Sequence, residues 1–214
     1  DFLFHIDVTE RLLARGNVQV VKGREKTGKS AYGILLMTSA LKGEFLGVRP
    51  ECPDLNVLWV DTEQDEATLR KRAIKVCEMA GIPHDDPRFS ILALKKAAID
   101  ERLDLLLAGI EEKKPDFVFL DGLVDLCTDF NDNTECFALV SDLIKVAEQQ
   151  NCAILCVIHS NKAGNEARGH LGSILQQKSS EVYLLKRPVR GAVATVQQEL
   201  TRFAEVPDIS FRFG

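Results

Sequence analysis

The stretch GREKTGKS, residues 23–30, is the part of this 214-residue chain that decides its fold. It follows the apolar run VQVV (18–21) and precedes the helix-like run AYGILLMTSAL (31–41). It matches the pattern G-x-x-x-x-G-K-S/T through Gly23, Gly28, Lys29 and Ser30. In such a turn between a buried strand and a helix, several backbone N–H groups and the helix N-terminus face one anion. The stretch therefore predicts a loop that holds a triphosphate.

Within this phosphate loop, the last two residues have separate predicted tasks. We expect the Lys29 ammonium to lie near the terminal phosphates and the Ser30 hydroxyl to bind Mg²⁺. The backbone of the other loop residues is expected to surround the phosphates: Gly23, Arg24, Glu25, Lys26, Thr27 and Gly28. The alternative is an ordinary glycine-containing turn, but the four fixed positions recur by chance in only roughly one per cent of chains this long.

Short apolar runs predict the strands of an α/β fold. Six runs of this kind suit strands buried on both faces of a sheet. They are VQVV (18–21), VLWVD (57–61), FSIL (89–92), FVFLD (117–121), AILCVI (153–158) and EVYLL (181–185). Strands that alternate with helices imply right-handed crossovers and a mainly parallel central sheet flanked by helices. From residue 181 onward, two strands joined by a Pro/Gly turn are expected to add antiparallel strands at the C-terminal edge.

Apolar residues at helical spacing predict the helices between these strands. One stripe comprises Leu69, Ala73, Val76, Cys77 and Ala80, a second Leu103, Leu106, Leu107 and Ile110, and a third Phe137, Val140, Ile144 and Ala147. Gly43 is placed to end the helix after the phosphate loop, and Gly81 to end the next one. The chain has no internal repeat, and its length suits one core, so we expect residues 1–214 to form a single domain.

Composition narrows the classes of protein that fit. Hydrophobic residues make up 45% and charged residues 28%, and no apolar run approaches the ~18 residues of a membrane span. The net charge of −5 disfavours nonspecific polyanion binding, although local basic loops can still contact phosphates. Six cysteines without a C-x-x-C pattern favour a reducing cytoplasm and disfavour a metal site made of thiolates. The first residues lack a Met and a leader-like pattern, so we expect a cytoplasmic segment of a longer chain.

Carboxylates follow two of the predicted strands. Asp121 closes FVFLD, while Asp61 and Glu63 stand at the end of VLWVDTEQ. Because ligands of open α/β sheets bind at the carboxyl ends of strands, we expect Asp121 to be a direct or water-mediated Mg²⁺ partner opposite Ser30. The alternative for Asp121 is a turn residue before Gly122. Glu63 suits a base that polarises water for attack on the γ-phosphate, or else a solvated loop residue that helps to cap the next helix. Asp61 is expected to be structural.

Together these motifs resemble those of the RecA-like ATPases, the P-loop NTPase fold shared by recombinases and hexameric replicative helicases. The resemblance rests on the phosphate loop, on Glu63 and Asp121 after their strands, and on IHSNK (158–162) after a later one. It is strongest to the RepA-type plasmid helicases and the RepA-like ATPases of bacterial mobile elements, over about residues 12–213. The resemblance implies that the chain binds ATP and Mg²⁺ and that Glu63 is the catalytic base of ATP hydrolysis.

The resemblance also implies roles for residues after the strand AILCVI. His159 matches the polar residue that senses the γ-phosphate and passes its state to the nucleic-acid-binding loop. SNKAGNEARGHLGS (160–173), with Lys162 and Arg168, matches the loop that lines a central channel and contacts single-stranded DNA. The alternatives are a satisfied strand-end histidine and an ordinary mobile surface loop. Copies of such a loop in a ring neutralise many phosphates despite the acidic total charge.

The tail TRFAEVPDISFRF (201–213) resembles a closing strand pair whose Lys-x-Arg element reaches the γ-phosphate of the neighbouring subunit. A cation delivered in this way stabilises charge in phosphoryl transfer. Arg202 matches the arginine, but Leu200 stands at the lysine position. Lys186 and Arg187 are therefore alternative candidates, and Arg202 can also be a solvated edge-strand cation.

The sequence thus predicts an ATP-hydrolysing motor domain that acts on single-stranded DNA, in a replicative or mobilisation-associated helicase of a mobile element. Its expected partners are further copies of itself in a hexameric or other ring, and primase or mobilisation proteins. The other candidate channel loop, TDFNDN (128–133), is acidic, which counts against strong DNA binding there. The alternative is a nucleotide-dependent regulatory or DNA-binding switch that does not unwind DNA. A GTPase is disfavoured because Gly164 stands where the N-K-x-D motif needs an aspartate.

Overall fold

The predicted apolar runs form the strands of a central sheet. A computed structural model describes residues 1–7, 10–160, 167, 169–187, 189 and 193–213. Within these residues the main sheet contains β3 (Asn17–Gly23), β5 (Val57–Asp61), β6 (Phe89–Ala93), β7 (Phe117–Asp121), β8 (Ala153–His159), β9 (Glu181–Lys186), β10 (Ala194–Thr201) and β11 (Ile209–Phe211). A small sheet contains β1 (Phe2–Asp7), β2 (Glu10–Ala14) and β4 (Arg49–Pro50).

Helices cover both faces of the main sheet. They are α1 (Lys29–Lys42), α2 (Glu66–Ala80), α3 (Ile99–Lys113), α4 (Asn133–Gln150) and α5 (Gly169–Lys178), with a short 3₁₀ turn at Leu123–Leu126. Gly43 and Gly81 end α1 and α2 in the left-handed region, at φ 96° and 74°, as predicted for helix C-termini. None of the helices in the described ranges is both long enough and apolar enough to cross a membrane.

The strand order of the main sheet is β11-β10-β9-β3-β8-β7-β5-β6 across the described residues. The neighbours from β9 to β6 pair in parallel, whereas β10 and β11 are antiparallel. The fold is therefore the expected α/β architecture, with a mainly parallel sheet and antiparallel strands at its C-terminal edge. In the register of the sheet, Asp61 lies beside Asp121 and Gly23 lies beside His159. The phosphate loop, both aspartates and His159 thus reach the same edge of the sheet.

Each face of the sheet has its own apolar core. Phe117 and Phe119 of β7 face α1 and α2, while Val118 and Leu120 face α3, α4 and α5. This alternation follows from the period of two in a strand. Trp59 is fully buried in the first of these cores. The two-sided burial explains why these strands read as continuous apolar runs.

The structure differs from the sequence prediction in several elements. The small sheet of β1, β2 and β4 has no counterpart in the prediction. The strand at 89–92 was expected to be buried on both faces, but β6 is the edge strand and its residues are mostly half-buried. The segment 160–173 was expected to be a loop throughout, but α5 already begins at Gly169.

Candidate nucleotide-binding and hydrolysis site

The phosphate loop joins β3 to α1 through two glycines that no larger residue could replace. A Cβ atom on Gly23 would lie 2.5 Å from the backbone oxygen of Leu185, because β9 passes close beside it. Gly28 has φ 107°, in the left-handed region that favours glycine. Between them, Arg24, Glu25 and Lys26 are exposed, and Thr27 is buried with its hydroxyl donating to the backbone oxygen of Arg24 at 2.8 Å. The Thr27 hydrogen bond therefore helps to hold the loop in its curved shape.

Lys29 lies inside the curve of this loop. Its ammonium donates to the backbone oxygens of Gly23 and Arg24, both at 2.9 Å. The residue is only 6% exposed, and burial lowers the pKa of its ammonium, while the carboxylates of Asp121, Glu63 and Glu25 act in the opposite direction. These contacts hold the cation against the backbone of the loop.

Ser30 and Asp121 meet opposite the loop. The Ser30 hydroxyl donates to the Oδ2 atom of Asp121 at 2.5 Å. Burial raises the pKa of Asp121 to about 6, the Ser30 hydrogen bond opposes this shift, and the neighbouring Asp61 and Glu63 carboxylates add to it. Among the described residues, the Oδ2 atom of Asp61 is buried without a hydrogen-bond partner, one strand away from Asp121. A hydroxyl and carboxylates are the oxygen donors that Mg²⁺ prefers, so these residues fit the metal that the P-loop fold implies.

Asp61 also shapes the turn that carries Glu63. Its Oδ1 atom accepts hydrogen bonds from the backbone N–H groups of Glu63 at 2.9 Å and Gln64 at 2.7 Å. Next to it, the Thr62 hydroxyl donates to the backbone oxygen of Gly122 at 2.8 Å and lies 3.0 Å from a carboxylate oxygen of Asp125. The turn is thereby tied to the end of β7, and the Glu63 side chain projects from it with 44% exposure.

His159 connects Lys29 with Glu63. Its Nδ1 atom lies 3.3 Å from the Lys29 ammonium, and its Nε2 atom lies 3.7 Å from a carboxylate oxygen of Glu63. Because an ammonium group can only donate, Nδ1 must accept, and the ring proton is therefore on Nε2, facing Glu63. The neighbouring histidine ring lowers the pKa of Glu63, and partial burial of the carboxylate opposes this effect. The carboxylate is thus anionic at neutral pH.

The candidates for an arginine finger lie at two different ends of the sheet. Arg202 lies at the end where β9 begins, and its guanidinium donates to the backbone oxygens of Gln177 and Lys178 at 3.2 and 3.4 Å. It thereby caps the C-terminus of α5, a favourable place for a cation. Lys186 and Arg187 lie at the other end of β9, on the side of the phosphate loop. Reach of any of them into a neighbouring subunit stays a prediction.

The predicted DNA-binding residues Lys162 and Arg168 lie outside the described residues. In the sequence Lys162 lies between Ser160 and Ala167, which form a single β-bridge, and Arg168 follows Ala167. Beyond it, the first turn of α5 is fixed to the acidic segment 128–133: the Leu171 N–H donates to the Phe130 oxygen at 3.1 Å. His170 Nδ1 and Asn133 Oδ1 lie 2.6 Å apart, and a Cβ atom on Gly169 would lie 2.6 Å from the Phe130 ring. We call this set of contacts the loop interlock.

Sequence reasoning missed two residues of the site. Thr62 is fully enclosed between the ends of β5 and β7, and its position between two predicted carboxylates was the available signal. Phe213 lies against Gly28 of the phosphate loop, with its ring edge where a Cβ atom would be. No local pattern marks Phe213, because its role depends on how β11 returns the chain to the loop.

The fold and the site together define a P-loop nucleotide-binding protein: a phosphate loop between a buried strand and a helix, with Ser30 and Asp121 placed for a metal ion. The chain belongs to the AAA domain family of P-loop ATPases, because the model of that family, described as an AAA domain, matches residues 7–165. A comparison with curated proteins gave no match. The predicted class of P-loop ATPase is therefore confirmed.

Proposed function

We propose that the chain is a RecA-like ATPase motor domain that acts on single-stranded DNA, in a replicative or mobilisation-associated helicase of a mobile element and similar to the RepA-type helicases. The observation that carries this proposal is the line of contacts from Lys29 through His159 to Glu63. These contacts connect the proposed phosphate-binding Lys29 and the proposed catalytic base Glu63 with His159, the residue that precedes the segment beginning at Ser160. A motor needs such a connection between hydrolysis and its nucleic-acid-binding loop.

The chemistry assigned to the site is attack of water on the γ-phosphate. Glu63 is anionic and half-exposed, so it orients the water and accepts its proton. The Lys29 ammonium stabilises the negative charge that develops on the phosphoryl oxygens. Ser30 and Asp121 hold the Mg²⁺, which supplies further neutralisation of phosphate charge when bound. Asp61 fixes the turn so that the Glu63 carboxylate points into the site.

His159 is the residue proposed to report the state of the nucleotide. A γ-phosphate competes with His159 for the Lys29 ammonium, since both are acceptors for the same donor. Release of Nδ1 from Lys29 frees the imidazole to turn toward the phosphate. His159 is the last residue of β8, so any shift of its ring acts directly on Ser160 and the residues after it. Those residues carry Lys162, and Arg168 follows, both proposed to contact the DNA backbone.

A ring of several copies is part of the proposal. A single chain of net charge −5 with exposed Asp129 and Asp132 near the channel segment is a weak partner for DNA. When several copies place Lys162 and Arg168 around one strand of DNA, each copy contributes phosphate contacts, and the affinity for DNA increases. A finger from the neighbouring subunit, at Arg202, Lys186 or Arg187, would make hydrolysis depend on this assembly.

The decisive variant is Glu63→Gln, with Glu66→Gln as its matched control. Glu66 is exposed at the start of α2 and takes no part in the site. We expect Glu63→Gln to bind ATP with unchanged affinity and to lose turnover by at least ~100-fold, the lower range for a general base. Glu66→Gln should keep both. Unchanged turnover in Glu63→Gln would remove this residue from the mechanism.

The motor itself is tested by ATP turnover with and without single-stranded DNA, followed by strand displacement on a forked duplex. We expect DNA to stimulate turnover and the duplex to be opened only with hydrolysable ATP. Size-exclusion mass in the presence of ATP and Mg²⁺ reports the ring. The exposed acidic segment 128–133 favours one alternative, a nucleotide-dependent switch. Turnover that is indifferent to DNA, with no strand displacement, would establish the switch and contradict the motor.

A further inference from the structure

The residues after β11 return to the phosphate loop, where the Phe213 ring packs on Gly28. A Cβ atom on Gly28 would lie 2.2 Å from one edge carbon of that ring and 2.4 Å from the next. The ring therefore touches the Cα atom of Gly28 directly, and only glycine leaves room for it. An aromatic side chain from the far end of the sequence thus packs directly on the phosphate loop.

Arg187 holds this ring in place. Its guanidinium carbon lies 4.0 Å from the centre of the Phe213 ring, in a cation–π contact. The same guanidinium donates to the backbone oxygen of Phe213 at 3.3 Å. Phe211 lies 5.8 Å from Phe213, centre to centre and tilted by 36°, and packs in turn on Tyr32 of α1. Phe213 is only partly buried, so the ring is fixed in position while part of it remains accessible.

The strand order tells which end of a nucleotide meets this ring. Glu63, Asp121 and His159 follow β5, β7 and β8, which all lie on one side of β3. The reacting γ-phosphate must point to that side, because Glu63 is there. The nucleoside end must then leave the loop on the other side of β3, toward β9, β10 and β11. Arg187 and Phe213 follow β9 and β11 and lie on this side.

We propose that the Phe213 ring is the surface on which the base of the bound nucleotide stacks, with Arg187 as the residue that positions the ring. The inference rests on the nucleotide binding of the proposed function and names its base contact. A flat π-face suits a nucleobase without selecting its hydrogen-bonding edge. The positive charge of Arg187 beside the ring also favours the neighbouring phosphates of the same ligand.

The test measures the affinity for MgATP of Phe213→Ala, Phe213→Leu and Phe213→Tyr. We expect the Ala and Leu variants to bind about 5- to 150-fold more weakly, the range for loss of one aromatic stacking partner, and the Tyr variant to bind within about threefold of the unaltered chain. Leucine keeps an apolar group of similar size against Gly28 but has no aromatic face. Wild-type affinity in Phe213→Leu would therefore overturn stacking and leave only a packing role.

A spectroscopic readout follows the same contact directly. The chain has one tryptophan, Trp59, which is fully buried, so Phe213→Trp introduces a separate reporter at the loop. We expect MgATP to quench the emission of this new tryptophan, and Arg187→Ala in the same background to weaken that response. An emission unchanged by saturating MgATP would contradict the inference.

Phe203→Ala is the matched control, because Phe203 is another aromatic residue of the tail, 42% exposed, that packs on Phe2 and not on the phosphate loop. It should bind MgATP as the unaltered chain does. Binding of MgATP by the unaltered chain distinguishes a failure of this inference from a failure of the proposed function. If that chain does not bind MgATP, both fail; if it binds and Phe213→Leu binds equally well, only the stacking assignment fails.

Discussion

At Asp121, burial and metal binding require opposite forms of one carboxyl group. Its low exposure raises the pKa to about 6, so part of the population is protonated in weakly acidic solution. Mg²⁺ requires the carboxylate form. The metal binding proposed for Asp121 therefore depends on a carboxyl group whose ionisation lies not far below neutral pH.

This predicts a pH dependence of Mg²⁺ binding in the nucleotide complex. An acid with a pKa raised to about 6 is ionised above that pH and protonated below it. The apparent Mg²⁺ affinity should thus be constant above about pH 7 and fall about tenfold by pH 5. Isothermal titration of Mg²⁺ into the complex at several pH values measures it. Asp121→Asn has no carboxyl group to titrate and serves as the control; an equally steep fall in that variant would rule out Asp121 as the cause.

Some residues of the site could be predicted from the sequence, and others could not. Ser30, Glu63 and Asp121 were predictable because each follows a recognisable strand or loop, and parallel strands bring their carboxyl ends together. Their assigned roles stay predictions, although the structure places them side by side. Phe213 was not predictable, because no rule of spacing links residue 213 to residue 28. Arg202 looked like a finger from its place in the tail, but within its own chain it caps α5.

At the scale of the elements, α1 packs closely on the sheet at Gly33. A Cβ atom there would lie 2.2 Å from the Phe119 ring of β7, deep in the core. Gly109 on α3 is also within a helix, but its nearest neighbour would be the end of the Leu92 side chain, at 3.2 Å. The two helical glycines thus have different surroundings and form a matched pair.

We predict that Gly33→Ala lowers the free energy of unfolding by about 1–3 kcal/mol, because the new methyl group overpacks against an aromatic ring that cannot move. Gly109→Ala should not destabilise the chain, since alanine favours helix by up to about 1 kcal/mol and the Leu92 side chain can shift. Urea unfolding followed by circular dichroism compares them. Equal effects of the two substitutions would show that the α1 contact is not specific.

Helix patterns were read correctly where one face alone is buried. In α2 the predicted stripe and the buried residues are the same set: Leu69, Ala73, Val76, Cys77 and Ala80. In α4 the predicted stripe was partly right: Val140 and Ala147 are buried and Ile144 packs against the core, but Phe137 is 45% exposed. The stripe also omitted four buried residues, which are Cys136, Leu139, Leu143 and Val146. This helix packs between the sheet and two other helices, so its apolar surface is wide and its centre is not defined by spacing.

Two elements gave too little signal to be predicted. The glycines of GHLGSILQQK suggested a loop, yet α5 uses Gly172 to approach Ala167, whose Cβ atom would lie 2.6 Å from a Cβ atom on that glycine. The small sheet was missed because β4 has only two residues and β1 and β2 mix apolar with charged residues. In both elements tertiary contacts, which no local pattern contains, decide the structure.

On the scale of the whole molecule, the small sheet is joined to the main one by core packing. Leu3, Phe4, Leu12 and Leu13 are fully buried in the core that also contains α1 and α2. Phe4 lies edge to face with Phe117 of β7, with ring centres 5.6 Å apart. The N–H group of Ala14, at the end of β2, donates to the buried carboxyl of Glu181 on β9 at 3.2 Å. The two sheets should therefore unfold together.

Phe4→Ala tests this joint unfolding. Removal of a fully buried ring should lower the free energy of unfolding of the whole chain by about 3–5 kcal/mol and keep a single transition. Phe2→Ala, which removes a half-buried ring that packs on the exposed Phe203, should have a much smaller effect. Urea unfolding followed by both far-ultraviolet and Trp59 signals measures the transition. An early separate step in Phe4→Ala, with the main transition unchanged, would mean that the small sheet is independent.

The loop interlock has a mechanical consequence for any movement that starts at His159. Since Phe130 and Asn133 contact the first turn of α5, that turn and the acidic segment 128–133 are held together. If that turn is displaced, the acidic segment must move with it, or the contacts between them must break. The N-terminal turn of α5 and the segment 128–133 are accordingly expected to move as one unit and not independently.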